Sequence, residues 1–427
     1  MEHPCETPAN TIERGRDMTK VYVAGVGMTP FGKFLDRSVS QLAVDAANAA
    51  LVDGGGDAGH VDSVFFANSA QGVMEGQHSI RGEIALLPLA LGNTPVVNVE
   101  NACASASTAF NMACAHIRAG MSDVVLAVGA EKMFSADRVL SFSIFDGSWD
   151  VHTVDATLGR LLRMGDGVPT PPECLNDAPH SVFMDVYQAF AKFHMRSFGT
   201  TVRQIASVAA KNHRHSVHNP LAQYRRDYGI DEILAAPMIA WPLTLPMCSP
   251  ISDGAAAALL CSEAGLRRLG ARRACEVRAC VLMGGGRRAA EDYRFEVSHV
   301  AAKRAYELAG VGPEDVDVAE VHDATAFGEI QQTENLMLCG FGEGGPLAES
   351  GATTLGGRVP VNPSGGLESR GHPIGATGLA QIYELVMQLR DQAGARQVAG
   401  AQVAIAENGG GLIGVESGAV VVTILSR

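Results

Sequence analysis

The chain has 427 residues, more than a single hydrophobic core usually serves, so two core-forming units or one duplicated unit with an insertion are expected. Apolar residues make up 47% and aromatics 6%, with 48 glycines, which suits buried parallel strands, small-residue helix contacts and tight turns, so an α/β enzyme is the natural class. A formal charge of −13 argues against a nucleic-acid surface, which needs a basic stripe to displace counterions from phosphates.

The first 18 residues are polar, with Glu2, Glu6, Glu13 and Asp17 and no apolar signal core, so 1–19 reads as a disordered extension. No later stretch offers the ~20 uncharged apolar residues of a membrane span, and a soluble, cytoplasmic protein without a membrane partner is expected. Regular structure begins with the run VYVAGVG at 21–27, a β-branched stretch closed by glycine. Residues 38–51 then show helical spacing through Leu42, Ala43, Ala46 and Ala50. Residues 61–66 and 96–99 read as further strands, and 105–119 as a small-residue helix leading into a strand at 124–128. Repeated βαβ units predict a parallel sheet covered on both faces.

The second half retells this order: a strand at 275–282, a helix at 298–309, a strand at 316–321, a small-residue helix at 376–389 and a strand at 403–406. An internal duplication follows. The segment 134–246, which carries both tryptophans, several prolines and six of the thirteen histidines, reads as an inserted cap or substrate loop domain. The first half is therefore 20–133 plus 247–272, and the second is 273–427. Nine cysteines stand scattered with no CxxC pair, so neither a metal site nor a disulfide framework is expected. The basic run at 211–215, with Lys211 and Arg214, and the later YRR at 224–226, with Arg225, is either a solvated helix face or a contact for a phosphorylated small molecule.

In NACASAS, 101–107, Cys103 follows a strand-like run at the expected first turn of a helix of small residues. Free N–H groups and the helix dipole there would favour a thiolate, and small neighbours leave room for an acyl chain. A buried structural cysteine is the bland alternative. At the matching point of the second repeat, NPSGG at 362–366 is followed by RGHPIGATG. There His372 is held between glycine and proline just before a small-residue helix. Alone it is a loop histidine; paired by pseudosymmetry with Cys103 it makes a nucleophile and base.

The segments VNVENACASAS, EVHDATAFGEI, NPSGGLESRGHPIGATGLAQ and ENGGGLIGVESGAVVVTIL together resemble the thiolase superfamily over about residues 21–425. FGTTVRQIASVAAKNHRHSVHNPLAQYR is similar to the sterol-carrier-protein-type branch. The resemblance implies a duplicated, five-layer αβαβα thiolase fold, an inserted loop domain for CoA, and a homodimer. It places the nucleophile on Cys103, the activating histidine on His372 and an oxyanion-orienting histidine on His322. It places a second oxyanion hole on the backbone N–H groups of Cys103 and of the 409–411 glycine turn, Gly410 included. It assigns CoA contacts to Lys211, Arg214, Arg225 and Ser364, with CoA as substrate and no permanently bound cofactor.

The departures narrow the chemistry. Most thiolases carry a second cysteine as acid/base on the α-carbon, but here Ala324 replaces the cysteine of HDCF and the C-terminal loop reads Glu407-Asn408-Gly409. Glu407 could take the acid/base role or be structural. Relatives with this replacement include subunits that work with a small zinc-ribbon and OB-fold protein, among them benzoylsuccinyl-CoA thiolase and acyl-transferring or steroid side-chain retro-aldolase complexes. The retained Cys103 implies thiolytic acyl transfer from a substituted 3-oxoacyl-CoA. The alternatives are a retro-aldolase acting on a CoA-thioester side chain, with Cys103 a relic, and a noncatalytic lipid or acyl-CoA-binding subunit.

Overall fold

A computed structural model describes residues 19–286 and 288–427; the expected N-terminal extension falls almost wholly outside them. The strands are β1 (Tyr22–Met28), β2 (Ser63–Ala67), β3 (Val96–Val99), β4 (Val124–Glu131), β5 (Met238–Ala240), β6 (Leu243–Thr244), β7 (Gly254–Cys261), β8 (Cys275–Gly284), β9 (Val318–Glu320), β10 (Val403–Ile413) and β11 (Glu416–Ser426). The helices that matter below are α1 (Val39–Asp53), α2 (Ser105–Arg118), α3 (Val182–Phe198), α4 (Val202–Ser216), α5 (Val297–Ala309), α6 (Ala326–Asn335), α7 (Gly366–Arg370) and α8 (Thr377–Leu389).

Each boundary has a local cause. Helix α1 starts at Ser38, whose hydroxyl accepts from the Gln41 N–H while the Gln41 side chain accepts from the Ser38 N–H, a reciprocal cap. Strands β4 and β7 are buried along their whole length, which is why both read as unbroken runs of small and branched apolar residues.

Strand order is β3-β2-β4-β7-β1 in one half and β8-β11-β10-β9 in the other, and the halves meet through a short β1/β8 pairing. Helices α2 and α8 lie between the half-sheets, and their apolar faces join residues of β1, β4, β7, β8, β10 and β11 in one central core. A second core packs α1 on the outside of the first half-sheet, and a third packs α5 on the outside of the second. The layers are thus αβαβα, the duplicated α/β architecture implied by the sequence. Phe110 of α2 is fully buried in the central core, and truncation to Ala would cost roughly 3–5 kcal/mol.

The expectation of a parallel sheet needs correction. Strand pairs β2/β3, β2/β4 and β9/β10 are parallel, but β4/β7, β1/β7, β8/β11 and β10/β11 are antiparallel. Only strands linked by a helical crossover are held to the same direction. Strand β7 instead returns from the long segment after β4, and β11 returns from β10 through a tight turn. The glycines 409–411 are also not a turn: they lie inside β10, with the reversal at 414–415. Between β4 and β7 the chain forms α3, α4 and the small β5/β6 ribbon, and a fourth apolar cluster packs α3 and α4 against α6. Among the described residues no helix is long and apolar enough to cross a membrane.

Candidate active site

Cys103 sits in a single 3-10 turn, Ala102–Ala104, one residue before α2. Three local features hold that turn. The Ser105 hydroxyl donates to the Ala102 carbonyl at 2.6 Å and accepts from the Asn101 N–H at 2.9 Å, Glu100 accepts from the Ala102 N–H at 2.6 Å, and Ala102 takes a left-handed φ of 49°. A non-glycine residue in that region stores strain, which the surrounding bonds must hold in place. Gly410 of β10 presses on the same turn: a Cβ there would lie 2.4 Å from the Ala104 nitrogen and 2.9 Å from that of Cys103.

His372 follows Gly371, whose φ of 112° only glycine adopts readily and which turns the chain out of α7. The His372 N–H donates to the Ser252 hydroxyl at 3.0 Å, and the Gly375 N–H donates to Glu131 at 3.1 Å. Glu131 also accepts from the N–H groups of Ser69 and Ala70, so one buried carboxyl ties the histidine loop to the first half. His372 Nδ1 lies 2.7 Å from the Thr377 hydroxyl, which itself donates to the Pro373 carbonyl. With that hydroxyl's hydrogen committed, Nδ1 donates and Nε2 keeps the lone pair.

His322 lies in the loop two residues after β9, and its backbone N–H donates to Glu407 at 3.1 Å. Asp323 beside it accepts from the Leu367 N–H at 2.8 Å and from Asn212 at 3.1 Å, so the loops carrying the two histidines are bonded to one another and to α4. His322 Nε2 is buried and has no partner among the described residues. The Cys103 sulfur and one ring nitrogen from each histidine all lie within 4.8 Å of one another, and the two rings stand 5.2 Å apart. Three distant sequence segments therefore converge at one point.

Burial sets the protonation states. It brings His322 down to about 4 and His372 well below its usual value, with His322 and Arg370 adding to the latter, so both rings are neutral near pH 7. Burial also pushes the Cys103 thiol up to about 12, with its own N–H opposing and Glu131 and Glu100 reinforcing. This corrects the expectation of a thiolate favoured by the helix start: desolvation outweighs the few N–H groups, and a neutral His372 offers no positive charge to stabilise one. The pair at rest is thiol and imidazole.

The trio opens on a cavity of about 950 Å³ walled by Phe134, Phe142, Phe145, Phe183, Tyr187 and Phe190 among others. Phe183 stacks on Trp149 at 5.0 Å and meets Phe145 edge-on at 5.6 Å. Lys33, Arg138 and Arg226 also line this cavity.

The remaining sequence candidates lie elsewhere. Lys211 is buried, with its ammonium 2.7 Å from Glu329 and donating to the Val361 carbonyl at 2.6 Å; Ser364 is buried against Glu320 and Arg370. Arg214 pairs with Asp227 at 3.6 Å, and Arg225 donates to the Val217 carbonyl at 3.1 Å. None of these four lines the cavity. Most of the run at 211–215 is not a solvated face either: Lys211, Asn212, His213 and His215 are buried, and Arg214 alone is exposed.

Glu407 accepts from the Ser298 hydroxyl and the His322 N–H, and Asn408 accepts from the Ser107 hydroxyl at 2.8 Å; neither lines the cavity. Period-2 alternation turns Glu407 to the face opposite Gly410, toward Ser298 of α5, whereas Asn408 shares the Gly410 face and is held there by Ser107 of α2. Groups that do line the cavity and that the sequence reading passed over are Tyr187, Cys248 and Glu368. None of the three carried a motif of its own.

Family models for the thiolase N-terminal domain and for a thiolase C-terminal domain-like region match residues 21–229 and 287–427. The chain is 38% identical over 421 residues to human sterol carrier protein 2, covering 95% of this chain and 72% of that protein. It is 35% identical to the acetyl-CoA acetyltransferase of Methanothermobacter thermautotrophicus, covering 96% and 100% of the two chains. It is 32% identical to the benzoylsuccinyl-CoA thiolase subunit BbsB of Thauera aromatica, covering 89% and 91%. Among solved structures, the Ltp2-ChsH2(DUF35) aldolase superposes with a TM-score of 0.75 at 22% identity, covering 96% of this chain and 98% of that one, a likeness of fold.

Proposed function

The chain belongs to the thiolase family, and from that premise we propose that it transfers acyl groups between CoA thioesters by thiolytic cleavage of a bulky 3-oxoacyl-CoA, through an acyl group held on Cys103. The observation that carries this reading is the convergence of the Cys103 sulfur, His322 and His372 within 4.8 Å beside an apolar cavity.

In this reading His372 Nε2 takes the thiol proton as the sulfur attacks the 3-oxo carbon. Neutral thiol and neutral imidazole suit that step, because the proton moves only when substrate arrives and no buried charge waits beforehand. The free Nε2 edge of His322 lies where it can bind the thioester oxygen, directly or through a water. Carbon–carbon cleavage leaves an enolate that needs a proton, and Tyr187, Cys248 and Glu368 are among the cavity-lining groups able to supply one. Free CoA then accepts the acyl group and restores the thiol.

The aromatic walls favour an aryl-substituted substrate of the benzoylsuccinyl-CoA type, in keeping with the similarity to BbsB. That relative is a subunit, and a small zinc-ribbon and OB-fold partner together with a homodimer is the assembly we propose. Strand β3, at one end of the sheet with Val97 exposed, provides an edge for dimer pairing. A second reading, a subunit that binds lipid or acyl-CoA without turnover, draws on the same cavity and on the similarity to sterol carrier protein 2. CoA-dependent release of an aroyl-CoA from an aryl 3-oxoacyl-CoA, lost in Cys103→Ala, supports transfer. Tight substrate binding with no release by the chain or its complex supports the carrier.

A further inference from the structure

We propose that Cys103, His322 and His372 form a site for a thiophilic divalent cation, Zn²⁺ above all, which blocks acyl transfer reversibly when filled. One thiol and two imidazoles are a donor set that zinc takes readily. Their ligating atoms lie within 4.8 Å of one another already. In a tetrahedral zinc site such atoms sit roughly 3.3–3.6 Å apart, a closure that small side-chain rotations supply.

Two further observations point to a ligand. The Nε2 of His322 is buried yet unpartnered among the described residues, an uncommon state for a polar atom, and a metal would satisfy it. His372 has its Nδ1 held by the Thr377 hydroxyl, which leaves Nε2 turned to the same space. That is the outer-shell bond metal-binding histidines ordinarily make. No carboxylate belongs to the cluster, so hard cations such as Mg²⁺ find no suitable ligands in it.

The three donors come from the turn before α2, the loop after β9 and the loop before α8. All three residues line the cavity, from which water or an incoming thiol could reach a bound ion and complete its shell. Coordination balances simply: the Cys103 S–H bond breaks, a sulfur–metal bond forms, and one proton leaves to solvent for each ion bound. Metal binding depends only on the donor set, whereas the block of turnover rests on the acyl-Cys103 reading.

Titration of the full chain with Co²⁺ as a spectroscopic probe, followed by displacement with Zn²⁺, tests the site. One equivalent per chain should give a thiolate-to-cobalt charge-transfer band with tetrahedral visible bands. Cys103→Ala should lack the charge-transfer band, and His322→Ala should bind at least about tenfold more weakly. Native protein alkylated at Cys103, which needs no refolding, should lack the band as well. Persistence of the band in Cys103→Ala or in the alkylated protein, or its absence from the native protein, overturns the site. Zinc should stop CoA-dependent turnover and a chelator should restore it; one bound ion with turnover intact overturns the block. A full cobalt signal in protein that turns over no acyl-CoA leaves the site standing and sinks the catalytic reading instead.

Discussion

Gly410→Ala isolates the brace behind the nucleophile. An added methyl would lie 2.2 Å from the Asn101 carbonyl oxygen, 2.4 Å from the Ala104 nitrogen and 2.9 Å from the Cys103 nitrogen, all of them backbone atoms. No flexible side chain can swing aside, so strand and turn must part by about 1 Å to reach ordinary contact distances. A shift of that size at a reacting group costs ~10²-fold in rate, and overpacking costs about 1–3 kcal/mol of stability. The assay is CoA-dependent turnover with a thermal melt of the same preparation. Gly147→Ala serves as control, because a methyl there meets nothing within 4 Å. Unchanged turnover and melting temperature in Gly410→Ala would refute the claim that β10 fixes the Cys103 turn.

Three other outcomes follow from the site. With its thiol pushed up to about 12, Cys103 should alkylate with iodoacetamide far more slowly at pH 7 than free cysteine, and the rate should still be rising at pH 10; a plateau below pH 8 contradicts a desolvated thiol. Glu407 is raised from 4.5 to about 8, so between those values the native state holds a proton the unfolded chain has lost, and this carboxyl's stabilisation fades as pH rises through that window. Melting temperature should therefore fall from pH 5 to pH 8, and less steeply in Glu407→Gln. Acyl transfer by that variant should drop less than about tenfold, because its carboxyl is engaged away from the cavity; a loss of ~10³ would mark Glu407 as the missing acid after all. Phe183→Ala should raise KM about tenfold for an aryl 3-oxoacyl-CoA while leaving acetyl-CoA within about twofold, given the loss of its stacking on Trp149. Equal effects on both substrates would remove the aromatic wall from the account of specificity.

The sequence made the βα alternation legible because β-branched runs and small-residue helices differ in period, and both repeats carried the contrast. It did not reveal strand direction. The antiparallel returns of β7 and β11 depend on where the chain re-enters the sheet, which local pattern does not record. Cys103, His322 and His372 were readable from motif and pseudosymmetry, since each sits where a loop must be fixed. The polar network was not. Lys211 and Ser364 read as CoA contacts because their buried partners, Glu329 for Lys211 and Glu320 for Ser364, come from segments more than 40 residues away. Glu407 failed for a smaller reason: one step along a strand reverses the face a side chain presents.

The proposed chemistry stands or falls on an acyl group resting on Cys103 during turnover. Mixing the protein with a labelled aryl 3-oxoacyl-CoA in the absence of free CoA, quenching in acid and mapping the peptides by mass spectrometry tests it directly. One acyl group per chain is expected, on the peptide containing Cys103, discharged when CoA is added. Label on any other residue, or turnover in Cys103→Ala at the native rate, would contradict it.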